Sequence, residues 1–217
     1  MFATNTSTLA QCFEGCPPRT YSANETIVAA GDESESLFYI LRGSVTVVME
    51  DDDGHEIVLA YLNEGEFFGE IGMFDERAQR TAWVRARTDC KVAELRYERL
   101  REIFDSSPDT IFAMLRQLSL RIRDTSRKVS DLAFKDVAGR IAAALLDLCN
   151  QPDAVETAEG FEIEITRLEL GRIVGCSREM ASRVLKSLED RHLVTVLGKK
   201  ILVRGPRRLN AATGTRG

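Results

Sequence analysis

At 217 residues, with 44% hydrophobic and 29% charged side chains, the chain has room for two modest domains of ordinary globular composition. No apolar run approaches the 18 or so residues that cross a bilayer, and five scattered cysteines make a poor disulfide framework. The net charge of −5 is uneven: residues 1–134 hold 15 basic and 23 acidic side chains, while 166–208 hold 11 basic and 4 acidic, so only a C-terminal module could attract DNA.

In chain order, Met1 to Pro18 has neither the basic start nor the apolar core of a signal peptide. A cytoplasmic protein without a membrane partner is expected. Cys12 and Cys16 make half a metal site at most. No C-x-x-C pair or histidine cluster supports them, so isolated thiols are the simpler reading and no metal is expected.

Residues 20–100 read as β. Leu37–Leu41, Val45–Met49, Ile57–Leu62 and Thr81–Ala86 look like strands, separated by turn chemistry such as Arg42-Gly43-Ser44 and Glu64-Gly65. The "DDDG" at Asp51–Gly54 signals a hairpin. Turns at such spacing predict an antiparallel sandwich or roll.

Within this region "GEIGMFDERAQRTAWVRA", Gly69 to Ala86, carries chemistry. Phe74 reads as buried, and Asp75 and Glu76 as an acidic surface turn. Glycines before a turn let backbone N–H groups approach an anion. Arg80 can pair with a phosphate, and the Thr81 hydroxyl can donate to another of its oxygens. Glu70 suits a sugar hydroxyl instead. The set fits a ligand with a ribose and one phosphate. A structural Glu70–Arg80 ion pair explains the same residues and stays open at this point.

A long helix should begin near Pro108, since proline suits the first helical turn. Ile111, Leu115, Leu118, Ile122, Thr125, Val129 and Leu132 recur in alternating steps of four and three, a heptad seam. About 25 residues would span roughly 38 Å. Arg116, Arg121, Arg123, Arg127 and Lys128 flank the stripe, which predicts a partner-facing helix and a homodimer, against the alternative of a core helix. Thr125 breaks the seam. Its hydroxyl could bond its own helix carbonyl, or a polar ligand could reach the seam there, beside Ser126.

Beyond "LAFKDV" the pattern gives a helix over Arg140–Leu148, a polar loop over Gln151–Gly160 and a strand over Phe161–Ile165. Thr166 should cap a short helix through Ile173. Gly175 should turn the chain, and Ser177 should cap a second helix to about Asp190. Ala181, Val184, Leu185 and Leu188 would pack inward. Arg178, Glu179, Ser182, Arg183 and Lys186 would face outward, as on a recognition helix. Arg178 and Arg183 can each donate twice to guanine, and Glu179 can accept from cytosine N4. Thr166, Arg167, Ser177 and Lys186 suit phosphates. Strands either side of Gly198 and Lys199 would form a wing.

"GEIGMF" to "RTAW", "DTSRKVSDLAF" and "GRIVGCSREMASRVLKSLED", in this order and spacing, resemble the bacterial cyclic AMP receptor protein family over about residues 20–205. The resemblance implies an α+β chain: a β-roll over 1–107 that binds cyclic AMP, a dimerisation helix and hinge over 108–134, a winged helix-turn-helix over 135–205, and a flexible tail over 206–217. It implies a transcription regulator that binds a palindromic operator in double-stranded DNA and works with RNA polymerase. Carried over by position, Gly69, Glu70 and Ile71 would lie at the ribose, with Glu70 on its 2′-hydroxyl. Arg80 and Thr81 would hold the cyclic phosphate. Thr125 would bond the adenine, and Ser126 would reach the ligand of the other subunit. Nucleotide would then favour an arrangement of the seam helix that orients the recognition helices.

Some positions depart from the family pattern. Arg-Thr replaces the usual Arg-Ser, which keeps cyclic GMP open as an alternative. Lys135 stands where a leucine is usual at the hinge. The loop Ala154–Gly160 lacks the usual polymerase-contacting sequence. Pro17 and Arg19 replace histidines at a second contact surface, where Glu94 and Arg99 keep the charge pattern. An iron–sulfur sensor would need about four cysteine ligands, and the only candidate haem ligand nearby, His55, sits in a polar hairpin. A cyclic di-GMP sensor would have little need of Glu70, Arg80 and Thr81 together. A regulatory module of an enzyme or channel would leave Arg178, Glu179 and Arg183 without a purpose. Nothing matches a nucleophile motif or P-loop, so catalysis is not expected.

Overall fold

The computed structural model describes residues 6–74 and 79–205. The acidic turn read at Asp75 and Glu76 and the tail read from 206 onward lie outside the described residues. The chain divides into two compact units, Met1–Lys128 and Val129–Gly217.

The first unit opens with helix α1 (Thr6–Cys12) and strands β1 (Arg19–Tyr21) and β2 (Thr26–Val28). Strands β3 (Ser36–Arg42), β4 (Ser44–Glu50), β5 (Glu56–Asn63) and β6 (Phe67–Phe68) follow, then a 3-10 turn at Ile71–Met73. Strands β7 (Trp83–Ala86) and β8 (Cys90–Arg96) lead into helices α2 (Tyr97–Ser106) and α3 (Asp109–Phe134). All pairings are antiparallel, in two four-stranded sheets ordered β1-β8-β3-β6 and β2-β7-β4-β5.

Strand β3 shows why "LFYIL" does not alternate in polarity. Its Phe38 and Ile40 join Val45, Leu62, Phe68 and Val84 between the sheets. Leu37 and Tyr39 face the other way, packing with Leu9, Phe13, Phe67, Leu100 and Met114 under the helices. A strand covered on both faces gains by being apolar on both. Thr81 and Ala82 precede β7 rather than belonging to it, and Thr81 is exposed. Phe74, read as buried, is exposed because it closes the 3-10 turn on the surface.

Helix α3 uses its faces unequally. Thr110, Ala113 and Met114 are buried against the roll, while Ile111, Leu115, Ile122, Val129 and Leu132 of the seam are exposed in the single chain. Leu118 departs from them, being partly buried against the helix-side core. A seam this exposed is not that of a core helix; it lacks only a partner. The flanking cations are not all solvated, as their charge suggested. Gln117 and Lys128 donate to the carbonyls of Gly65 (2.8 Å) and Leu59 (2.7 Å), and Arg121 donates to that of Phe67 (2.8 Å). Each joins the helix to β5, to β6 or to the turn between them.

The second unit continues with α4 (Val137–Cys149), β9 (Val155–Thr157), β10 (Gly160–Glu164), α5 (Arg167–Val174), α6 (Arg178–Asp190), β11 (Val194–Leu197) and β12 (Lys200–Arg204). Helix α4 starts earlier than its apolar pattern, because the Asp136 carboxylate accepts from the Gly139 N–H and caps it. The polar loop read over Gln151–Gly160 contains a strand. Exposed β9 pairs with β10, and the wing strands complete one sheet ordered β11-β12-β10-β9. Its backbone hydrogen bonds, not apolar residues, hold β9 in place, so no alternation marks it. Among the described residues no helix is long and apolar enough to cross a membrane.

Candidate functional site

Two sets of candidate residues exist, one in each unit. In the first unit Gly69 follows β6 with φ +87°, a conformation natural to glycine. A Cβ built there would lie 2.6 Å from Arg80 Nη1, so the close approach of guanidinium and main chain requires its absence. Arg80 Nη1 donates to the Gly69 carbonyl (3.2 Å) and the Tyr97 hydroxyl (3.3 Å), while Nη2 donates to the Ser36 carbonyl (2.9 Å). Its guanidinium also lies over the Phe38 ring, 5.2 Å from the centroid. All these partners are neutral. Among the described residues no carboxylate pairs with Arg80.

Glu70 has another partner. Its carboxylate accepts from Arg121 Nη1 at 3.2 Å, with both side chains largely buried. Arg121 is itself fixed over the Phe67 ring. The Glu70–Arg80 pair that competed as an explanation of the sequence is therefore absent. Arg80 is left as a fixed positive charge, which an anion could neutralise. Glu70 keeps lone pairs for a hydroxyl.

Ile71 is half exposed at the start of the 3-10 turn, and Thr81 is exposed one residue beyond Arg80. Thr125 and Ser126 are exposed on α3, one turn beyond Arg121. In the single chain the Thr125 hydroxyl donates to its own helix, to the Arg121 carbonyl at 2.9 Å. Sequence reasoning did not assign Arg121, Ser36 or Tyr97 to the site. Arg121 carried a signal, as the one flank arginine one turn before Thr125. A tyrosine and a main-chain carbonyl far along the chain carried none.

A cleft of about 290 Å³ also opens on Arg80 from the side of Arg19, Glu33, Glu94 and Arg96. Its other two cations are already paired, Arg19 with Glu94 (3.6 Å) and Arg96 with Glu35 (2.8 Å). It offers a ligand little beyond Arg80 itself.

In the second unit Thr166 and Ser177 cap α5 and α6, accepting from the N–H groups of Glu169 (3.1 Å) and Met180 (3.2 Å). Gly175 links the helices in the left-handed conformation, φ 67°. Ala181, Leu185 and Leu188 are buried, and Val184 is half-buried. Arg178, Glu179, Arg183 and Lys186 are exposed on the far side. The guanidinium groups of Arg178 and Arg183 make no hydrogen bond or ion pair among the described residues. Hydrogen bonds from its own backbone N–H and the Ser177 hydroxyl, with the charges of Arg178 and Arg183, hold the Glu179 carboxyl below the usual glutamate range. It is an acceptor throughout the neutral range.

Lys186 is less free than its position suggested. It pairs with Asp190 (3.1 Å) and Glu189 (3.6 Å), which raise its pKa. Arg167 donates to the Gly198 carbonyl at 3.1 Å, tying the start of α5 to the tip of the wing, where Lys199 is exposed. These polar groups thus sit around two capped helix starts and a hairpin tip.

The family model "Cyclic nucleotide-binding domain" matches residues 18–107, and "Crp-like helix-turn-helix domain" matches 139–212. The chain is 52% identical over 195 residues to the cAMP-activated global transcriptional regulator Vfr of Pseudomonas aeruginosa, covering 88% of this chain and 91% of that protein. It is 46% identical over 200 residues to the cAMP-activated global transcriptional regulator CRP of Salmonella typhimurium, covering 92% and 95%. Among solved structures, the c-di-GMP responsive global regulator CLP of Xanthomonas campestris superposes with a TM-score of 0.86 at 40% identity, covering 92% of this chain and all of that one.

Proposed function

The chain belongs to the cyclic AMP receptor protein family of transcription regulators, and from that premise we propose that cyclic AMP is its effector and a palindromic operator its target. It is a DNA-binding regulator with a cyclic-nucleotide domain, not an enzyme. The observation that carries the ligand reading is Arg80: a guanidinium held in place by neutral groups, with no carboxylate on it among the described residues. A cation fixed this way has little reorganisation left to undergo when a phosphate arrives.

In this reading Arg80 and Thr81 hold the cyclic phosphate. Glu70, steadied by Arg121, accepts from the ribose hydroxyl, with Gly69 and Ile71 flanking it. Thr125 turns from its own helix carbonyl to the adenine, and Ser126 reaches the nucleotide of the partner subunit. That places the ligand on the helix whose apolar seam is exposed in the single chain. Two copies joined along the seam would bury Leu115, Ile122 and Val129 of that stripe. The ligand would then favour one seam arrangement over another by its differential contacts.

The dimer would present two α6 helices to successive major grooves. Arg178, Glu179 and Arg183 would read bases. Thr166, Arg167, Ser177, Lys186, Gly198 and Lys199 would lie along the backbone, Lys186 exchanging its carboxylates for phosphate. RNA polymerase is the further partner that this role implies. The proposed divisions are 1–107 for the roll, 108–134 for the helix and hinge, and 135–205 for the DNA-binding domain.

Calorimetric titration with cyclic AMP and, separately, cyclic GMP tests the ligand. Tighter binding of cyclic AMP is expected. Preference for cyclic GMP would replace the effector, and binding of neither would remove the pocket reading.

A further inference from the structure

Tyr97 is the first residue of α2, far in sequence from Gly69 and adjacent to no feature that marks a ligand site. It is buried, as is Ser34. A buried tyrosine hydroxyl ordinarily finds some partner. This one finds three, and two of them are parts of the nucleotide pocket.

A phenol oxygen can donate once and accept twice. The Tyr97 hydroxyl donates to the Gly69 carbonyl. It accepts from Arg80 Nη1 at 3.3 Å. The remaining contact, 2.8 Å to Ser34 Oγ, is then donated by the serine. All three places are filled. The Ser34 side chain in turn lies under Gly72, where a Cβ would come within 2.0 Å of Oγ. One buried pair of hydroxyls therefore supports the main chain on either side of Glu70 and the guanidinium of Arg80 together.

We infer that Tyr97 is a positioning residue for the effector: it acts through Arg80 and Gly69, aligning the phosphate-binding cation with the ribose-binding turn. This rests on the nucleotide reading of the pocket. Removing the hydroxyl leaves Ser34 Oγ without its acceptor and frees Arg80 Nη1 to leave the Gly69 carbonyl. The guanidinium then has more conformations to lose on binding, and affinity falls without loss of any ligand contact.

The test is a double-mutant cycle on the full-length protein, with cyclic AMP affinity read by calorimetry and the melting temperature read alongside. Tyr97→Phe should weaken binding about tenfold, as for loss of a hydrogen bond to a charged group. In an Arg80→Lys background, titrated into the millimolar range, the same change should have little effect, because lysine cannot make the guanidinium's paired contacts. Ser34→Ala, which keeps the phenol, should weaken binding by a smaller factor and serves if Tyr97→Phe folds poorly. Unchanged affinity in Tyr97→Phe overturns the inference while leaving the pocket intact. Equal loss in both backgrounds also overturns it, reducing Tyr97 to a general support of the roll. Wild-type protein that binds no cyclic AMP overturns the pocket reading and the inference with it.

Discussion

The two binding regions of this chain hold their arginines in opposite ways. Arg80 in the roll is fixed by two carbonyls, a phenol and an aromatic face before any ligand is present. Arg178 and Arg183 on α6 are exposed and hold nothing among the described residues. A small ligand offers few contacts, so its site must lose little freedom on binding. A DNA duplex offers many contacts and a strong field, so mobile side chains can be ordered on arrival. The contrast teaches that the pocket is sensitive to the groups behind it, whereas the helix is sensitive chiefly to the side chains that touch DNA.

The largest effect should come from Arg80→Leu. Removing one partner of a desolvated charge pair costs about 2–5 kcal/mol, so cyclic AMP binding should become undetectable in ordinary titrations. The melting temperature and oligomeric state of the free protein should be retained. Unchanged affinity would place the phosphate elsewhere and break the comparison at its first half.

On the exposed side, Glu179→Ala should relax base preference by about 1–3 kcal/mol at one operator position, read as the affinity ratio between operator variants. Uniform weakening of all variants would mean that Glu179 reads no base. The pH dependence sharpens this. Because the Glu179 carboxyl is held below the usual range, its anionic form is complete above that range and is lost only as pH falls through its lowered pKa. The ratio between wild type and Glu179→Ala should therefore be flat from about pH 8 to 5, above the ordinary glutamate value of about 4.3.

The smallest effect belongs to Lys199→Ala at the wing tip. It should weaken binding to all sequences alike and reduce the slope of log affinity against log salt by about one, as for one lost phosphate contact. An unchanged slope would take Lys199 off the backbone.

Much of this was legible in the sequence, for reasons particular to each element. Thr166, Gly175 and Ser177 act locally, through caps and one left-handed turn, so the two helices could be read within a residue of their ends. The seam of α3 is periodic and therefore visible. Strand β9 was hidden because it is exposed and polar, its only constraint being the register Gly160↔Thr157 and its neighbours. The partner of Glu70 was hidden for a different reason. Arg121 lies 51 residues away, and Arg80, far nearer in sequence, offered the same charge. Tyr97 and Ser36 were hidden because they support the site from behind and touch it through a hydroxyl and a carbonyl that no spacing rule predicts.

The central claim is that a cyclic nucleotide in the roll controls DNA binding by the second unit. The direct test is the affinity of full-length protein for a palindromic operator, measured by fluorescence anisotropy at fixed salt with and without saturating cyclic AMP. The account predicts that cyclic AMP raises operator affinity over that for unrelated DNA, and that Arg80→Leu removes the increase. Operator affinity that is the same with and without cyclic AMP would contradict it.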